Sequence, residues 1–180
     1  MNPIRTPGLF DLGDIRLRRP RREDAPAIFA YGSDPEVAHY ADWPIQTSIE
    51  PIVALLEERA ARWQGGTEYY WVITESADDR AIGGVICGVN GEEAEIGYLL
   101  NRKFWCRGYA TRVCKALVLW LESNPVIKKI WATCDTENVA SIRVLEKSGF
   151  RREKLLEKHV IRPNLGGGPR DAYLYSMVIR

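Results

Sequence analysis

Apolar and polar residues alternate along Ile15-Arg16-Leu17-Arg18, the period of a half-buried strand. Arg22-Glu23-Asp24 then opens a helix in which Ala27, Ile28, Ala30 and Tyr31 recur at spacings of three and four. Asp34-Pro35 starts a short helix reaching about Tyr40. Thr47-Ser48-Ile49-Glu50 has the form of a capping box with Pro51 in the first turn. It predicts a helix to about Gln64, stopped by Gly65-Gly66. Residues 69–74 are aromatic and β-branched and predict a strand. Residues 81–89 and 94–100, joined at Asn90-Gly91, predict a hairpin. Ala110, Val113, Cys114, Leu117, Val118 and Leu121 make the wide stripe of one amphipathic helix. A strand follows over 130–134, then a helix over 138–148 with Gly149 as its C-terminal cap. Two closing strands, 150–161 and 172–179, flank a loop over 162–169 that is too rich in Gly and Pro to be regular.

About seven strands and about four helices in this order mean an α/β or α+β fold with a mixed sheet. Consecutive hairpin strands in the middle argue against a Rossmann arrangement. A length of 180 residues suits a single domain, 1–180. Its 46% hydrophobic and 27% charged residues exclude a disordered chain. No run approaches ~18 uninterrupted apolar residues, so a membrane span is not expected. Lys plus Arg number 25 and Asp plus Glu 24, so no global charge draws nucleic acid or anionic lipid. The basic cluster Arg16, Arg18, Arg19, Arg21 and Arg22 reads as the solvated face of a strand and a loop. Four cysteines (87, 106, 114, 134) lack a C-x-x-C pair and only His39 and His159 accompany them, so neither a metal site nor a disulfide framework is expected. Residues 1–10 carry no apolar signal core, which predicts a cytoplasmic protein.

Chemistry concentrates at Trp105-Cys106-Arg107-Gly108-Tyr109-Ala110-Thr111, between a strand and the long amphipathic helix. A strand, a glycine-containing turn and a helix N-terminus make an anion site, because unpaired N–H groups point outward and the helix dipole favours negative charge. Small residues at Gly108 and Ala110 allow close approach, and Arg102, Arg107 and Arg112 surround the turn. The pattern is neither a P-loop nor G-x-G-x-x-G.

Glu95-Ile96-Gly97-Tyr98-Leu99-Leu100, the Trp105–Thr111 turn, Asn138-Val139-Ala140-Ser141 and Leu145-Glu146-Lys147-Ser148-Gly149-Phe150 together resemble the GCN5-related N-acetyltransferase (GNAT) superfamily. The RimJ/RimL-like ribosomal-protein N-terminal acetyltransferase branch is the nearer likeness. It is strongest over 82–150, the acetyl-CoA core, with acceptor-side elements at 24–70 and 160–172. The superfamily turn reads Q/R-x-x-G-x-G/A. Trp105 stands at its first position, and Cys106 stands where the RimJ/RimL branch has a Gly.

The resemblance implies a twisted, mostly antiparallel sheet splayed between two parallel strands, 94–100 and 130–134, that grip acetyl-CoA. It places the pyrophosphate on the N–H groups of Arg107, Gly108, Tyr109, Ala110 and Thr111. The pantetheine would pair with the backbone of Leu99 and Leu100 and touch Asn138, which equally suits a helix N-cap. A carboxylate takes the proton of the acceptor ammonium. Glu95 is the first candidate and Glu68 the second; each is also readable as a solvated acid. A backbone N–H near Leu99 would hold the oxyanion. The thiolate-protonating Tyr of many relatives is replaced by Leu145, and Ser141 is the natural substitute. Tyr98 packs near the thioester or in the core. Tyr40, Trp43, Tyr69, Tyr70 and Trp71 supply at most two walls of an acceptor cleft, and His39 reads as a surface residue.

The expected partners are therefore acetyl-CoA, with no metal, and an amine acceptor, with a monomer or a homodimer as the assembly. A protein N-terminus ranks first as acceptor. A small amine such as a polyamine, amino acid or antibiotic follows, then a CoA-binding module without catalysis, then a plain nucleotide-binding domain.

Overall fold

A computed structural model describes residues 6–179, so the first five residues of the opening segment, and Arg180, lie outside it. Among the described residues it has eight strands and five α-helices: β1 (Leu9–Asp11), β2 (Ile15–Arg18), α1 (Ala25–Gly32), α2 (Pro35–Ala38), α3 (Glu50–Gly65), β3 (Glu68–Glu75), β4 (Ala81–Asn90), β5 (Glu93–Leu100), α4 (Tyr109–Glu122), β6 (Lys129–Asp135), α5 (Val139–Lys147), β7 (Arg151–Val160) and β8 (Arg170–Val178). Short 3-10 turns at Arg22–Asp24 and Arg102–Phe104 precede α1 and α4.

The strands form one sheet in the order β1-β2-β3-β4-β5-β6-β8-β7. Neighbours run antiparallel except β5 and β6, which run parallel. On one face Ile15, Leu17, Tyr69, Trp71, Val85, Cys87, Ala94, Ile96 and Ile130 pack against Val113, Cys114, Leu117 and Leu121 of α4 and Leu145 of α5. This main core absorbs the stripe legible in α4. On the other face Ala25 of α1 and Ile52 and Leu56 of α3 form a smaller cluster that meets Tyr70. Side chains alternate along each strand, so β5 presents Ala94, Ile96 and Tyr98 to the α4–α5 face and Glu95, Gly97 and Leu99 to the α1–α3 face.

Four differences from the sequence reading have physical causes. The strand β1 has only three residues, two of them exposed, and carries no periodic signal. The helix expected from Arg22 divides into a 3-10 turn and α1, which starts at Ala25 with Pro26 in its first turn; a Pro there lacks only an N–H that has no intrahelical partner. The short helix expected to reach Tyr40 ends at Ala38. The capping box at Thr47 does not form: α3 starts at Glu50 behind Ile49, with no side-chain cap. Ser48 instead bonds the Glu50 carboxylate and, as the largest influence, holds it below its usual range. No helix among the described residues is long and apolar enough to cross a membrane.

Candidate active site

The parallel ladder between β5 and β6 spans only Glu93–Lys129, Ala94–Ile130 and Glu95–Trp131. Beyond it β5 pairs with β4 alone and β6 with β8 alone. The sheet therefore opens into a V whose vertex is Glu95. Along β5, Asn101 N donates to Ile82 O at 2.8 Å, and the β4–β5 register is unbroken. Antiparallel alternation then turns the N–H and C=O of Leu99 and Gly97 towards β4, and those of Ile96, Tyr98 and Leu100 into the V. The backbone groups of Leu99 are therefore taken up by β4, and Tyr98 and Leu100 carry the groups that face the V. The Leu100 carbonyl already accepts from Trp105 Nε1 at 2.8 Å, which ties the first residue of the turn to the end of the strand.

That turn has the backbone form of an anion site. Cys106 and Gly108 both have left-handed backbones, with φ of +59° and +76°. Gly108 is the N-cap of α4 and offers no side chain to its N–H groups, so the first turn through Ala110 and Thr111 points bare donors outward. A left-handed backbone costs a non-glycine residue roughly 1–2 kcal/mol, which explains why the resembling branch keeps a Gly where Cys106 stands. Tyr109 anchors the helix start: it is buried, stacks near Phe104 with centroids 6.5 Å apart, and donates to Asp14 Oδ2 at 3.0 Å. Of the three arginines around the turn, Arg112 pairs with Asp14 at 2.7 Å and Arg102 with Asp34 at 3.1 Å. Arg107 lies over the Phe104 ring and has no carboxylate partner among the described residues.

At the vertex, partial burial and then the negative charge of Asp42 push the Glu95 carboxyl above its ordinary range. Glu68 lies on the same face, two strands away, at about 10 Å between Cα atoms. Its carboxylate pairs with Arg62 at 2.9 Å. On the opposite face, Tyr98 and Ser141 meet hydroxyl to hydroxyl at 2.7 Å. Burial pushes the Tyr98 phenol far up, so it stays protonated. Asn138 caps α5, its Oδ1 accepting from Ser141 N at 3.1 Å. The Cys134 thiol, also raised by burial, lies within reach of the Asn138 carbonyl at 3.6 Å.

The α1–α3 side of the V is bridged by loops. Asn164, in the β7–β8 connection, accepts from Ile45 N at 2.9 Å and donates to the carbonyls of Ala38 at 2.7 Å and Trp43 at 2.9 Å. Tyr40 donates to Glu137 O at 3.2 Å. Of the five aromatics considered for a cleft wall, Tyr40 and Trp43 lie on these loops, while Tyr69 and Trp71 are in the main core and Tyr70 meets the smaller cluster. His39 is exposed, edge-on to Tyr40. Asp135 and Glu137 both pair with Arg170. Sequence reasoning missed the roles of Asp14, Asp42 and Asn164, whose partners lie far along the chain.

A family model described as an acetyltransferase (GNAT) domain matches residues 14–151. The uncharacterized N-acetyltransferase YoaA of Bacillus subtilis (strain 168) is 32% identical over 174 residues, covering 94% of this chain and 96% of that one. Among solved structures, the microcin C7 self-immunity acetyltransferase MccE, in complex with acetyl-CoA and AMP, superposes with a TM-score of 0.86 at 24% identity, covering 97% and 98% of the two chains. RimL, the ribosomal L7/L12 alpha-N-protein acetyltransferase, in complex with coenzyme A, superposes with a TM-score of 0.84 at 19% identity, covering 95% and 98%.

Proposed function

Because the chain belongs to the GNAT acetyltransferase family, it is an acetyl-CoA-dependent N-acetyltransferase, and we propose that it transfers the acetyl group directly to the α-amine of a protein N-terminus in a ternary complex. The residues fit acetyl-CoA. Arg107 and the N–H groups from Gly108 to Thr111 suit the pyrophosphate, and the open edge of β5 suits the pantetheine amides.

One observation carries the mechanism: Glu95 and the Tyr98–Ser141 pair flank the vertex from opposite faces of the sheet. Glu95 takes the proton of the acceptor ammonium, directly or through a water, on the α1–α3 side. Its raised carboxyl is a better base than an ordinary glutamate. The freed amine attacks the thioester carbonyl. A backbone N–H turned into the V, that of Ile96 or Tyr98, stabilises the developing oxyanion. As the C–S bond breaks, Ser141, held by its hydrogen bond to the Tyr98 hydroxyl, donates its proton to the leaving thiolate and takes one back from solvent once the product has left. Asn138 orients Ser141 by holding its amide. Glu68, engaged by Arg62, is the weaker base candidate, and its position suits acceptor binding.

The charge of the acceptor side supports a singly charged amine. Glu68, Asp135 and Glu137 are each paired with an arginine. Glu95 and Asp42 have no cationic partner among the described residues, which matches one ammonium and not a polycation. The test is a thiol-release assay with acetyl-CoA over short peptides with free N-termini, polyamines and amino acids. Peptide turnover, with the acetyl group found on the α-amine by mass spectrometry, is expected. Turnover confined to small amines would replace the peptide acceptor with that class.

A further inference from the structure

Four glycines lie inside strands of the sheet, and three have reasons within the fold. A β-carbon at Gly83 would collide with the Leu99 carbonyl, and one at Gly84 with the Tyr70 hydroxyl. At Gly97 it would crowd the Ile86 γ-methyl at 3.1 Å. Gly88 is different: a β-carbon there would meet no atom within 4 Å. Its backbone is not left-handed, and the registers to β3 and β5 run through it without a bulge. A glycine inside a central strand weakens the strand, and without a bulge or a crowded neighbour it marks the close approach of something else.

The row across the sheet says what approaches. Gly88 pairs with Glu68 on one side and Glu95 on the other. Directly opposed residues share a face, so the bare position lies between the two carboxylates on the α1–α3 side, beside the vertex. The space left by the missing side chain is next to Glu95 in the register.

We propose that Gly88 is the floor of the acceptor slot and determines specificity: the chain carrying the reacting amine lies over Gly88, with its nitrogen at Glu95 and its next hydrogen-bond donors towards Glu68. The inference rests on the proposed placement of the acceptor on this face. A substrate of this shape is an unbranched primary amine or a peptide N-terminus with a small first side chain. A bulky group next to the amine meets the strand.

The test compares wild type with Gly88→Ala and Gly88→Val in three measurements: thermal unfolding, calorimetric binding of CoA, and KM and kcat for every amine the wild type acetylates. Because valine suits a strand and nothing occupies the space, melting temperature is expected to hold or rise, and CoA affinity to stay within twofold. KM for the amine is expected to rise about tenfold for Ala and more for Val, in the range one added methylene produces in a pocket. A lower melting temperature or weaker CoA binding overturns the proposal, because the glycine then serves the fold or the cofactor. Unchanged KM and kcat with every amine also overturn it. If the wild type binds CoA yet acetylates no amine tested, the acceptor reading itself fails and the slot falls with it. That result is distinct from an active wild type whose Gly88 variants are equally active.

Discussion

Replacing Glu95 by Gln removes one proton acceptor and little else. The amide keeps the volume and the hydrogen-bonding reach of the carboxylate, at a position on the strand surface where β5 and β6 part. General-base catalysis by a positioned side chain contributes roughly 10²- to 10⁴-fold, so kcat/KM is expected to fall by that factor, a loss of about 3–5 kcal/mol in barrier lowering. The acidic limb of the pH–rate profile should move as well. In the wild type, activity should rise as Glu95 loses its proton, with a midpoint above the ordinary glutamate value, because partial burial and Asp42 disfavour the charge. In Glu95→Gln this limb should vanish, leaving only the titration of the acceptor amine.

Stability gives an independent reading of the same electrostatics. The folded state holds the Glu95 proton more tightly than the unfolded state, so its contribution is fully present below the unfolded value and is lost as pH rises through the folded one. Glu95 is exposed to solvent, which screens the effect, so at pH 7 its charge beside Asp42 should weaken the fold only slightly, and Glu95→Gln should melt slightly higher than wild type. The advantage should shrink towards pH 4, as the carboxyl takes up its proton in both states. Stopped-flow or thiol-release rates between pH 5 and 9, together with calorimetric melting at pH 4 and 7, check both halves. A variant with wild-type rate and an unchanged acidic limb would refute the base assignment. A lower melting temperature at pH 7 would refute the electrostatic argument.

Arg107→Ala should weaken acetyl-CoA binding by roughly 10- to 100-fold in calorimetry, the worth of a charge-assisted contact, while Arg112→Ala, already held by Asp14, should act mainly by loosening the hairpin turn. Ser141→Ala should lower kcat by about tenfold or more with CoA affinity unchanged, and Tyr98→Phe should do the same through loss of the 2.7 Å contact; a smaller effect in both would show that the thiolate draws its proton from water. Cys106→Gly should relieve the strain of the +59° backbone by about 1 kcal/mol, raising the melting temperature by roughly 2–4 °C; an unchanged or lower value contradicts it. Asp24→Asn leaves Arg18, buried and doubly hydrogen-bonded to Asp24 at 2.7 and 2.8 Å, without its main counter-charge. Urea unfolding should register a loss near 3 kcal/mol, the low end for breaking a buried pair, since Asp79 also holds Arg18 at 2.8 Å.

The elements that were legible depend on neighbours in sequence. The α4 stripe, the hairpin signalled by Asn90-Gly91 and the Asn138 cap each rest on residues a few positions apart, and all three stand in the structure, with the turn itself at Gly91-Glu92 because Asn90 pairs with Glu93. The capping box at Thr47 was also local, and it failed because Ile49, not Thr47, ends up at the helix start. The pattern was locally satisfiable and tertiary packing chose otherwise. Leu99 shows a subtler limit. The sequence predicts the strand over 94–100, but whether a given amide faces the V or β4 depends on the β4–β5 register, in which Asn101 N bonds Ile82 O.

Composition, periodicity and turn chemistry thus determined the class of fold, the order of its elements, the glycine-containing turn before α4 and the strand that carries Glu95. Tertiary structure alone decided where the parallel strands part, which hydroxyl meets Ser141, which arginine stays free, and how the acceptor side is bridged. These contacts join residues 43 positions apart for Tyr98 and Ser141, 95 for Tyr109 and Asp14, and 126 for Asn164 and Ala38. Propensity and periodicity express the energetics of neighbouring residues. A contact between distant ones exists only once burial of the main core has fixed the strands and helices that carry them.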